Sequence, residues 1–348
     1  MSTITLAQAQ AIVDKHFKAT IVKVSQLPSD RFSHTPGLET VLLDLAIGAN
    51  VDATHSSFLV VASDASPSPY TNTLPVFPTI IDKIRSTTSI PISSPILDDT
   101  RTVIPHVYLV TPIYAVVSSN LVSLAQARAG KLLTPHQQAL IDLQLGSFLG
   151  ELHKGAQNDW FGRPTLGGAE PADPSYDWQE TFVSLLEGLL DTLPAMLPLS
   201  NPDITTSLRT SLARAISAFL FSDVDVPSLV WLTGSPDDVF LAFTAAGEFA
   251  TFAILPAVAH AVYGDPLLET FFLDGASAAF WEGYRTARGE QDGAIMVFPR
   301  QRTKRVWYDV FLALLVLKQR GDKRDDKSSW AEECIRKSVE VLKDAPCY

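Results

Sequence analysis

The spacing of apolar and polar residues divides the chain into a β-rich first part and a mostly helical remainder. Residues 5–17 carry apolar side chains at intervals of three and four, which predicts an amphipathic helix, and Thr5 is a candidate N-cap. Three β-rich runs follow at 20–26, 39–46 and 57–62. The last run, which contains FLVVA, is continuously apolar, as is typical of a buried strand.

A linker, a helix and a further strand complete the first part of the chain. Residues 64–75 are rich in turn-forming residues and are predicted to be a linker. Residues 77–87 have the spacing of a helix, and residues 104–112 contain the strand sequence VYLVT. The order of three strands, a helix and a fourth strand predicts a small lobe, built around a sheet, over residues 1–113.

From about residue 118 onward the periodicity is mainly helical. Thr134 followed by Pro135 indicates a helix start, because a cap residue precedes proline at the first helical position. Further helices are predicted at about 177–194, 203–221, 267–273, 275–288, 303–319 and 328–343, with short strands near 228–232, 238–243 and 250–255. Residues 114–348 are therefore predicted to form a larger helical lobe, so the fold class is α+β.

The composition is that of a globular protein without a nucleic-acid or membrane partner. Of the 348 residues, 46% are hydrophobic and 19% are charged, and the formal net charge is −11. A nucleic-acid-binding protein would normally carry a basic face. The one basic cluster, Arg300, Arg302, Lys304 and Arg305, is interpreted as a solvated loop that leads into a helix. The sequence contains no run of about 18 apolar residues, so no membrane span is expected.

The cysteine content and the N-terminus favour a cytoplasmic protein. The chain contains two cysteines, Cys334 and Cys347, which excludes a disulfide scaffold and a cysteine-rich metal site. The first residues lack the basic leader and the long apolar core of a signal peptide. None of these features predicts the oligomeric state.

Five segments carry patterns that occur together, in this order, in one family. They are TSIPISSPILDD with IPHVYLVTPI (88–113), LGSFLGELHKGAQNDWFGRP (145–164), SLVWLTGSPDDVFLA (228–242), AILPAVAHAVYGDPLLE (253–269) and KRVWYDVFLALLVL (304–317). The set resembles the aminoglycoside phosphotransferase and choline-kinase-like family. The resemblance implies a two-lobed, protein-kinase-like fold with a small β-rich N-lobe and a large helical C-lobe.

The groups with which this family transfers phosphate are replaced in the sequence. Phosphoryl transfer needs a lysine and metal ions on the phosphates, and a base near the nucleophile. By the resemblance, the lysine place is Val60, the catalytic aspartate place is Thr233 and the metal-binding aspartate place is Ala257. The segment 27–37 has one glycine where the family has a glycine-rich phosphate loop. The resemblance therefore implies a degenerate, kinase-dead member.

The residues that now occupy the family's active-site segments are the candidate functional residues. Asp238 stands at the family's asparagine place, next to Asp237, and His260 precedes the Gly-Asp-Pro turn, so these three are candidate acids or bases. The candidate ligand-binding residues are Trp231, Thr233, Tyr263, Trp281 and Tyr284. Each has a structural alternative, in which the aspartates form a turn, His260 is a core histidine and the aromatic residues pack in the core.

Other kinds of site are not indicated. The sequence has no GxSxG, HExxH or paired Cys-x-x-Cys motif, and its seven histidines show no ligand spacing, so no metal or cofactor is expected. Two adjacent carboxylates offer too few oxygen ligands for Mg²⁺ or Ca²⁺. His153 and Asp265 fall at places for which the resemblance implies structural roles.

Three functions remain open. The first is a repurposed enzyme that binds a small apolar metabolite and catalyses a cyclisation, isomerisation, elimination or addition. The sequence is similar to fungal members of the family, some of which lie among specialised-metabolite genes, and this favours a biosynthetic role. The second is a non-catalytic, pseudokinase-type binding or scaffold protein, and the third is an atypical small-molecule kinase. The expected partner in each case is a small molecule or another protein.

Overall fold

The computed structural model describes residues 4–47, 54–62, 68–113, 121–192, 202–244, 249–273, 275–289 and 298–347. The chain divides into two compact units. The first unit comprises residues 1–138 and 234–259, and the second comprises residues 139–233 and 260–348. The predicted lobe boundary after residue 113 stays a prediction, and part of the predicted linker 64–75 lies outside the described residues.

A five-stranded antiparallel sheet forms the main part of the first unit. Its strands are β1 (Ala19–Gln26), β2 (Leu38–Ile47), β3 (Thr54–Ala62), β4 (Ile96–Asp98) and β5 (Val107–Ile113), and the spatial order is β1-β2-β3-β5-β4. The helices α1 (Leu6–His16) and α2 (Phe77–Thr87) belong to the same unit. The predicted cap is confirmed, because the Thr5 side chain accepts a hydrogen bond from the Gln8 amide.

The two faces of this sheet have different partners because alternate strand residues point to opposite sides. Leu43 and Leu59 belong to a core cluster that also contains Ile12 and Val13 of α1. Leu42 and Phe58, on the other face, belong to a second cluster with Phe240, Ala253 and Leu255. The last three residues come from the late part of the first unit, so this cluster joins its two sequence segments.

A second sheet of the first unit joins its late segment to residues 121–123. Strands β6 (Leu121–Ser123), β8 (Val239–Phe243) and β9 (Phe249–Ile254) pair antiparallel in the order β6-β8-β9. Helix α3 (Leu124–Ala129) follows β6 directly, with Ser123 and Gln126 as a capping box. The predicted strands near 238–243 and 250–255 are thereby confirmed.

The second unit is mostly helical. Helix α4 (Pro135–Gly155) begins at the predicted Thr134-Pro135 signal, and the Thr134 hydroxyl accepts from the Gln137 amide. The other helices are α5 (Trp178–Leu190), α6 (Pro202–Ser217), α7 (Ala278–Arg288), α8 (Pro299–Arg320) and α9 (Asp326–Asp344), and one strand pair joins β7 (Ser228–Val230) to β10 (Val262–Gly264). Among these described helices, the long ones carry too many polar residues to cross a lipid bilayer.

One predicted helix, at 267–273, is wrong. The structure has two short 3₁₀ turns there, Pro266–Leu268 and Thr270–Phe272. Glu269 lies between them with the extended angles φ −63° and ψ 138°, which interrupt a helix. A second correction concerns the basic cluster: Lys304 and Arg305 are buried in α8 and are not part of a solvated loop.

Three glycines allow helices α4 and α7 to touch through their backbones. A Cβ atom added at Gly146 would lie 1.9 Å from the carbonyl oxygen of Phe280, and one added at Gly283 would lie 2.0 Å from the carbonyl oxygen of Leu143. At Gly150 the added atom would lie 2.7 Å from the carbonyl oxygen of Tyr284. The glycines of the LGxxLG pattern are thus explained by close helix packing.

A buried carboxylate connects α1 to the sheet of the first unit. Asp98 accepts hydrogen bonds from the Tyr108 hydroxyl at 2.6 Å, from the Thr100 hydroxyl at 2.6 Å and from the Thr100 amide at 2.9 Å, and it pairs with Lys15 of α1. Lys15, together with the hydroxyl groups of Thr100 and Tyr108, holds the pKa of Asp98 well below its usual range. The position of α1 therefore depends on an ionised carboxylate.

We expect this carboxylate to make stability sensitive to acid. Because the pKa of Asp98 is lower in the folded protein than its unfolded value of 3.8, its contribution is present above that value and is lost as pH falls towards the folded pKa. Asp98→Asn should lower the free energy of unfolding by about 2 kcal/mol at neutral pH. At about pH 2.5 the loss should be smaller. Urea denaturation at both pH values measures this difference.

Asp82→Asn is the matched control, because Asp82 is exposed and pairs only with the exposed Arg85 in the ion pairs described. It should change the free energy of unfolding by less than about 0.5 kcal/mol at either pH. An Asp98→Asn loss of the same size at both pH values would contradict the assignment.

Candidate functional site

An open pocket with a cavity volume of about 60 Å³ lies within the first unit. One side of it is the β1–β2 loop, residues 27–37, with Ser29, Arg31, Ser33, His34 and Thr35. We call this cavity the β1–β2 pocket. The strands contribute Thr40 and Val60, α2 contributes Phe77, and the segment after β9 contributes residues 255–257 and Ala259.

The pocket brings together residues that the resemblance singled out. Val60, at the lysine place, and Ala257, at the place of the metal-binding aspartate, both line it together with residues of the loop 27–37. Thr40 pairs with Val60 across β2 and β3, so these two side chains lie side by side on one face of the sheet. The three sequence positions therefore belong to one cavity.

The β1–β2 loop is fixed by a buried ion pair. Arg31 Nη1 donates to Asp238 Oδ1 at 2.8 Å, and the Ser33 hydroxyl donates to the same oxygen at 2.6 Å. Arg31 is 5% exposed and Asp238 is 3% exposed, so water competes little for this pair. Asp238 Oδ2 has no hydrogen-bond partner among the described residues.

The charge state of Asp238 reflects two opposing effects. Burial raises the pKa of Asp238, and the attraction of Arg31 and the hydrogen bond from Ser33 offset this only in part. The main chain of Asp238 also holds the floor of the pocket, because its carbonyl accepts from the Leu255 amide at 2.9 Å. Asp238 is not itself a lining residue, but it holds three residues of the pocket wall, Arg31, Ser33 and Leu255, by hydrogen bonds.

Local backbone contacts explain why the loop takes this form. Arg31 Nε donates to the Pro28 carbonyl at 3.0 Å, and the Thr35 hydroxyl donates to the Ser33 carbonyl at 3.2 Å. Gly37 ends the loop with φ +85°, a left-handed conformation that a residue with a Cβ atom rarely adopts. The one glycine of the segment thus serves the turn into β2.

Asp237 differs from its neighbour. It is half-buried, and its amide donates to the Ser235 hydroxyl at 3.4 Å. The Asp238 amide donates to the Ser235 carbonyl at 2.9 Å, which closes the same turn. Asp237 is not among the described residues that line the β1–β2 pocket.

The remaining acid–base candidate, His260, is buried in the second unit. It is 3% exposed, and its Nε2 atom lies 2.7 Å from the side-chain nitrogen of Gln319. This contact gives the His260 ring a side-chain partner within the core. The geometry agrees with the alternative of a satisfied core histidine.

Trp231, Thr233 and Tyr263 lie in the second unit and are all buried. The Trp231 amide donates to Glu269 Oε1 at 2.7 Å. The side-chain atoms Trp231 Nε1 and Thr233 Oγ1 have no hydrogen-bond partner within the described part of the chain. Leu232, between them, has φ +64°, so the segment at the family's catalytic-loop place has a strained backbone.

A buried network surrounds Glu269. His153 Nε2 lies 3.3 Å from Glu269 Oε1, and His153 Nδ1 lies 2.9 Å from the Tyr284 hydroxyl, which also accepts from Arg288 at 3.0 Å. Burial lowers the pKa of His153 in spite of Glu269. Tyr284 is therefore part of the core, and Trp281 stacks on Phe272 with a 5.0 Å separation of ring centroids.

Asp265 holds the turn that leads into the late helices. It accepts from the Leu267 amide at 2.9 Å, from Lys304 Nζ at 2.7 Å and from the Tyr308 hydroxyl at 2.8 Å. Lys304 also pairs with Asp223, which explains how this cation is buried in α8. Asp265 thus has the structural role that the resemblance implied.

Sequence reasoning missed Arg31, Ser33 and His34, three of the polar residues in the pocket wall. Their position in the segment 27–37, at the place of the family's phosphate loop, was the available signal. Among the described residues, no group of three or more His, Cys, Asp or Glu side chains is arranged to hold a metal ion.

Comparison with solved structures gives the fold. The sequence matches no protein-family profile and no curated protein. The GDP complex of aminoglycoside 2'-phosphotransferase-IIIa is similar over 97% of this chain and 99% of that one, with a TM-score of 0.60 and 14% identity. The GDP and kanamycin complex of APH(2")-IIia matches over 98% of both chains, with a TM-score of 0.58 and 14% identity.

A third similar structure is a protein from Thermobifida fusca that is assigned as a fructosamine-3-kinase. It matches over 95% of this chain and 98% of that one, with a TM-score of 0.55 and 13% identity. The predicted α+β, kinase-like fold with a β-rich N-lobe and a helical C-lobe is confirmed. At this level of identity the similarity establishes the fold alone.

The two adjacent aspartates should respond differently to neutralisation. Asp238→Asn leaves Arg31 buried without its counter-charge, so we expect the free energy of unfolding to fall by about 3 kcal/mol. Asp237→Asn, the matched control, should change it by less than about 0.5 kcal/mol. Chemical denaturation at neutral pH measures both.

Trypsin cleavage after Arg31 gives a second, local measurement, because a loosened β1–β2 loop is cut faster. Faster cleavage is expected in Asp238→Asn only. Equal losses of stability in the two variants, with unchanged cleavage, would show that the ion pair does not hold the loop.

Proposed function

We propose that this protein does not transfer phosphate and that it binds a small, mostly apolar organic molecule in the β1–β2 pocket. On this molecule it would catalyse a reaction that needs no phosphate donor, such as a cyclisation, isomerisation, elimination or addition. A role in specialised-metabolite biosynthesis fits this chemistry. The observation that supports the proposal is that Val60 and Ala257, which stand where the resemblance implies phosphate-binding groups, both lie in the wall of one cavity.

The charges around the pocket support the proposal. A nucleoside triphosphate brings several negative charges, and their burial requires positive groups or metal ions close by. Among the described residues that line the pocket there is no lysine, and Arg31 is already paired with Asp238. The pocket therefore offers little that could neutralise a triphosphate.

The surroundings of the pocket favour an apolar ligand. Leu42, Phe58 and Phe240 fill the adjoining face of the sheet, and the rings of Phe58 and Phe240 lie 5.3 Å apart. Val60, Phe77 and Leu255 continue this apolar surface into the pocket wall. Apolar and polar residues line the pocket in equal number, which suits a neutral small molecule that has both kinds of surface.

Catalysis in this pocket would depend on His34. Imidazole changes its charge near neutral pH, and His34 is in the pocket wall, so it is suited to move a proton. Asp238, a predicted catalytic residue, would act as a positioning residue through Arg31 and Ser33. The predicted roles of Asp237 and His260 stay predictions.

A non-catalytic binding protein is the second candidate function. It is favoured by the mutual hydrogen bonding of Arg31, Ser33 and Asp238, because groups that satisfy one another are less available for chemistry. Mass analysis of candidate metabolites incubated with the protein, without ATP, separates the two functions. Turnover that is lost in His34→Asn supports catalysis, whereas binding without turnover supports the alternative.

The proposal predicts that ATP and Mg²⁺ do not stabilise the protein. A ligand at 100 times its Kd stabilises the folded state by about 2.7 kcal/mol, which is several degrees in Tm. We therefore expect no change in Tm at millimolar ATP and Mg²⁺, and no transfer of labelled phosphate to a panel of small alcohols and amines.

An aminoglycoside phosphotransferase with kanamycin serves as the positive control for both assays. A saturable rise in Tm with ATP and Mg²⁺, together with phosphate transfer to any acceptor, would establish an atypical small-molecule kinase and overturn the proposal.

A further inference from the structure

The β1–β2 pocket has two chemically different sides. Residues that carry hydroxyl groups, Ser29, Ser33 and Thr35 in the loop and Thr40 in β2, lie on one side. The other side consists of Val60, Phe77, Leu255, Pro256 and Ala257, all of which are apolar. We call these the hydroxyl side and the apolar side. Such a division orients a ligand that is itself polar along one edge.

The boundary between the two sides runs between two neighbouring strands. Thr40 and Val60 are directly paired in the register of β2 and β3. Threonine and valine have nearly the same shape and differ by one hydroxyl group, so the change in polarity at this pair does not require a change in packing. The neighbouring pair on the same face is Leu42 with Phe58, which is apolar.

The fixed charges near the pocket do not favour an ionised ligand. Arg31 is neutralised by Asp238 at 2.8 Å, and the Glu39 carboxylate accepts from the Ile4 amide at 3.2 Å through both oxygens. Both groups already have partners, so neither offers its charge to an ionised ligand. An uncharged ligand avoids the cost of burying a charge without a partner.

We infer that the ligand of the β1–β2 pocket is an uncharged amphipathic molecule, a hydrocarbon skeleton with hydroxyl or carbonyl groups along one edge. The oxygen-bearing edge of the ligand lies against the hydroxyl side, which includes Thr40. The hydrocarbon face lies against the apolar side. This inference rests on the proposed function and specifies its ligand class. Thr40 is then a residue that determines specificity.

Four naphthalene derivatives of the same shape test the inference: naphthalene, 2-naphthol, 2-naphthoate and 2-naphthyl phosphate. Binding to the full chain is measured by ligand-observed NMR at equal concentrations. The expected order is 2-naphthol first, then naphthalene at about fivefold lower affinity, which corresponds to one hydrogen bond. The two anions should bind more weakly than naphthalene.

Two isosteric variants test whether the paired residues Thr40 and Val60 determine the preference for 2-naphthol over naphthalene. Thr40→Val should abolish the preference for 2-naphthol over naphthalene, because it removes one hydroxyl group and retains the β-branched shape. Val60→Thr is the matched control. It should lower the affinity for naphthalene by about fivefold, because it places a hydroxyl group on the apolar side. The Tm of each variant confirms that it is folded.

A third variant tests the location. Ala257→Phe fills the pocket from its apolar side, where Ala257 is partly exposed, and should abolish binding of 2-naphthol. Binding that persists in this variant lies elsewhere and would overturn the inference.

The outcomes separate the inference from the proposed function. If naphthalene binds as well as 2-naphthol, or if none of the four compounds binds, the two-sided assignment is wrong, whereas the absence of phosphate transfer is unaffected. If 2-naphthyl phosphate binds tightest and loses its affinity in Ala257→Phe, the pocket is an anion site, and both the inference and the proposed function are wrong.

Discussion

The buried ion pair between Arg31 and Asp238 is the interaction on which the candidate site depends. It joins residues 207 positions apart and takes two charges out of water, which is costly unless further hydrogen bonds support them. Ser33 supplies one of these bonds, and the Asp238 carbonyl supports Leu255 in the pocket floor. The shape of the β1–β2 pocket therefore follows from one carboxylate and the loop that it holds.

In the second unit, two buried carboxylates hold neighbouring segments of the chain together. Glu269 holds the Trp231 amide and His153, and Asp265 holds Lys304 and Tyr308. Each of these carboxylates connects segments that are far apart in the sequence. Hydrogen bonds to a buried carboxylate are strengthened by the low local dielectric when all partners are in place. The aromatic residues that suggested a ligand site belong to this packing, since Tyr284 is enclosed and Trp281 rests on Phe272.

Most of the fold could be predicted from the sequence, whereas the eight predicted site residues are not among the described residues that line the β1–β2 pocket. Apolar periodicity located β1 to β3 and the long helices because these elements bury one face, and the ordered family segments brought Val60 and Ala257 to one cavity. Arg31 could not be predicted, because its partner is remote and nothing local marks a buried arginine.

Two errors have the same kind of cause. Lys304 was taken for a solvated cation because the helix pattern does not reveal Asp223 and Asp265, its partners in space. The segment 267–273 has helical composition, yet the extended backbone of Glu269, whose side chain holds Trp231, divides it into two turns. Long-range polar contacts decided both cases.

Leu232 shows that tertiary packing can outweigh local backbone preference. It has φ +64°, which costs an ordinary L-residue about 1 to 2 kcal/mol. Its side chain is 4% exposed, and burial of a leucine contributes about 2 kcal/mol, so the two quantities nearly cancel. Glycine could adopt this turn because it has no Cβ atom. At Leu232 the turn is held instead by the packing of the surrounding core.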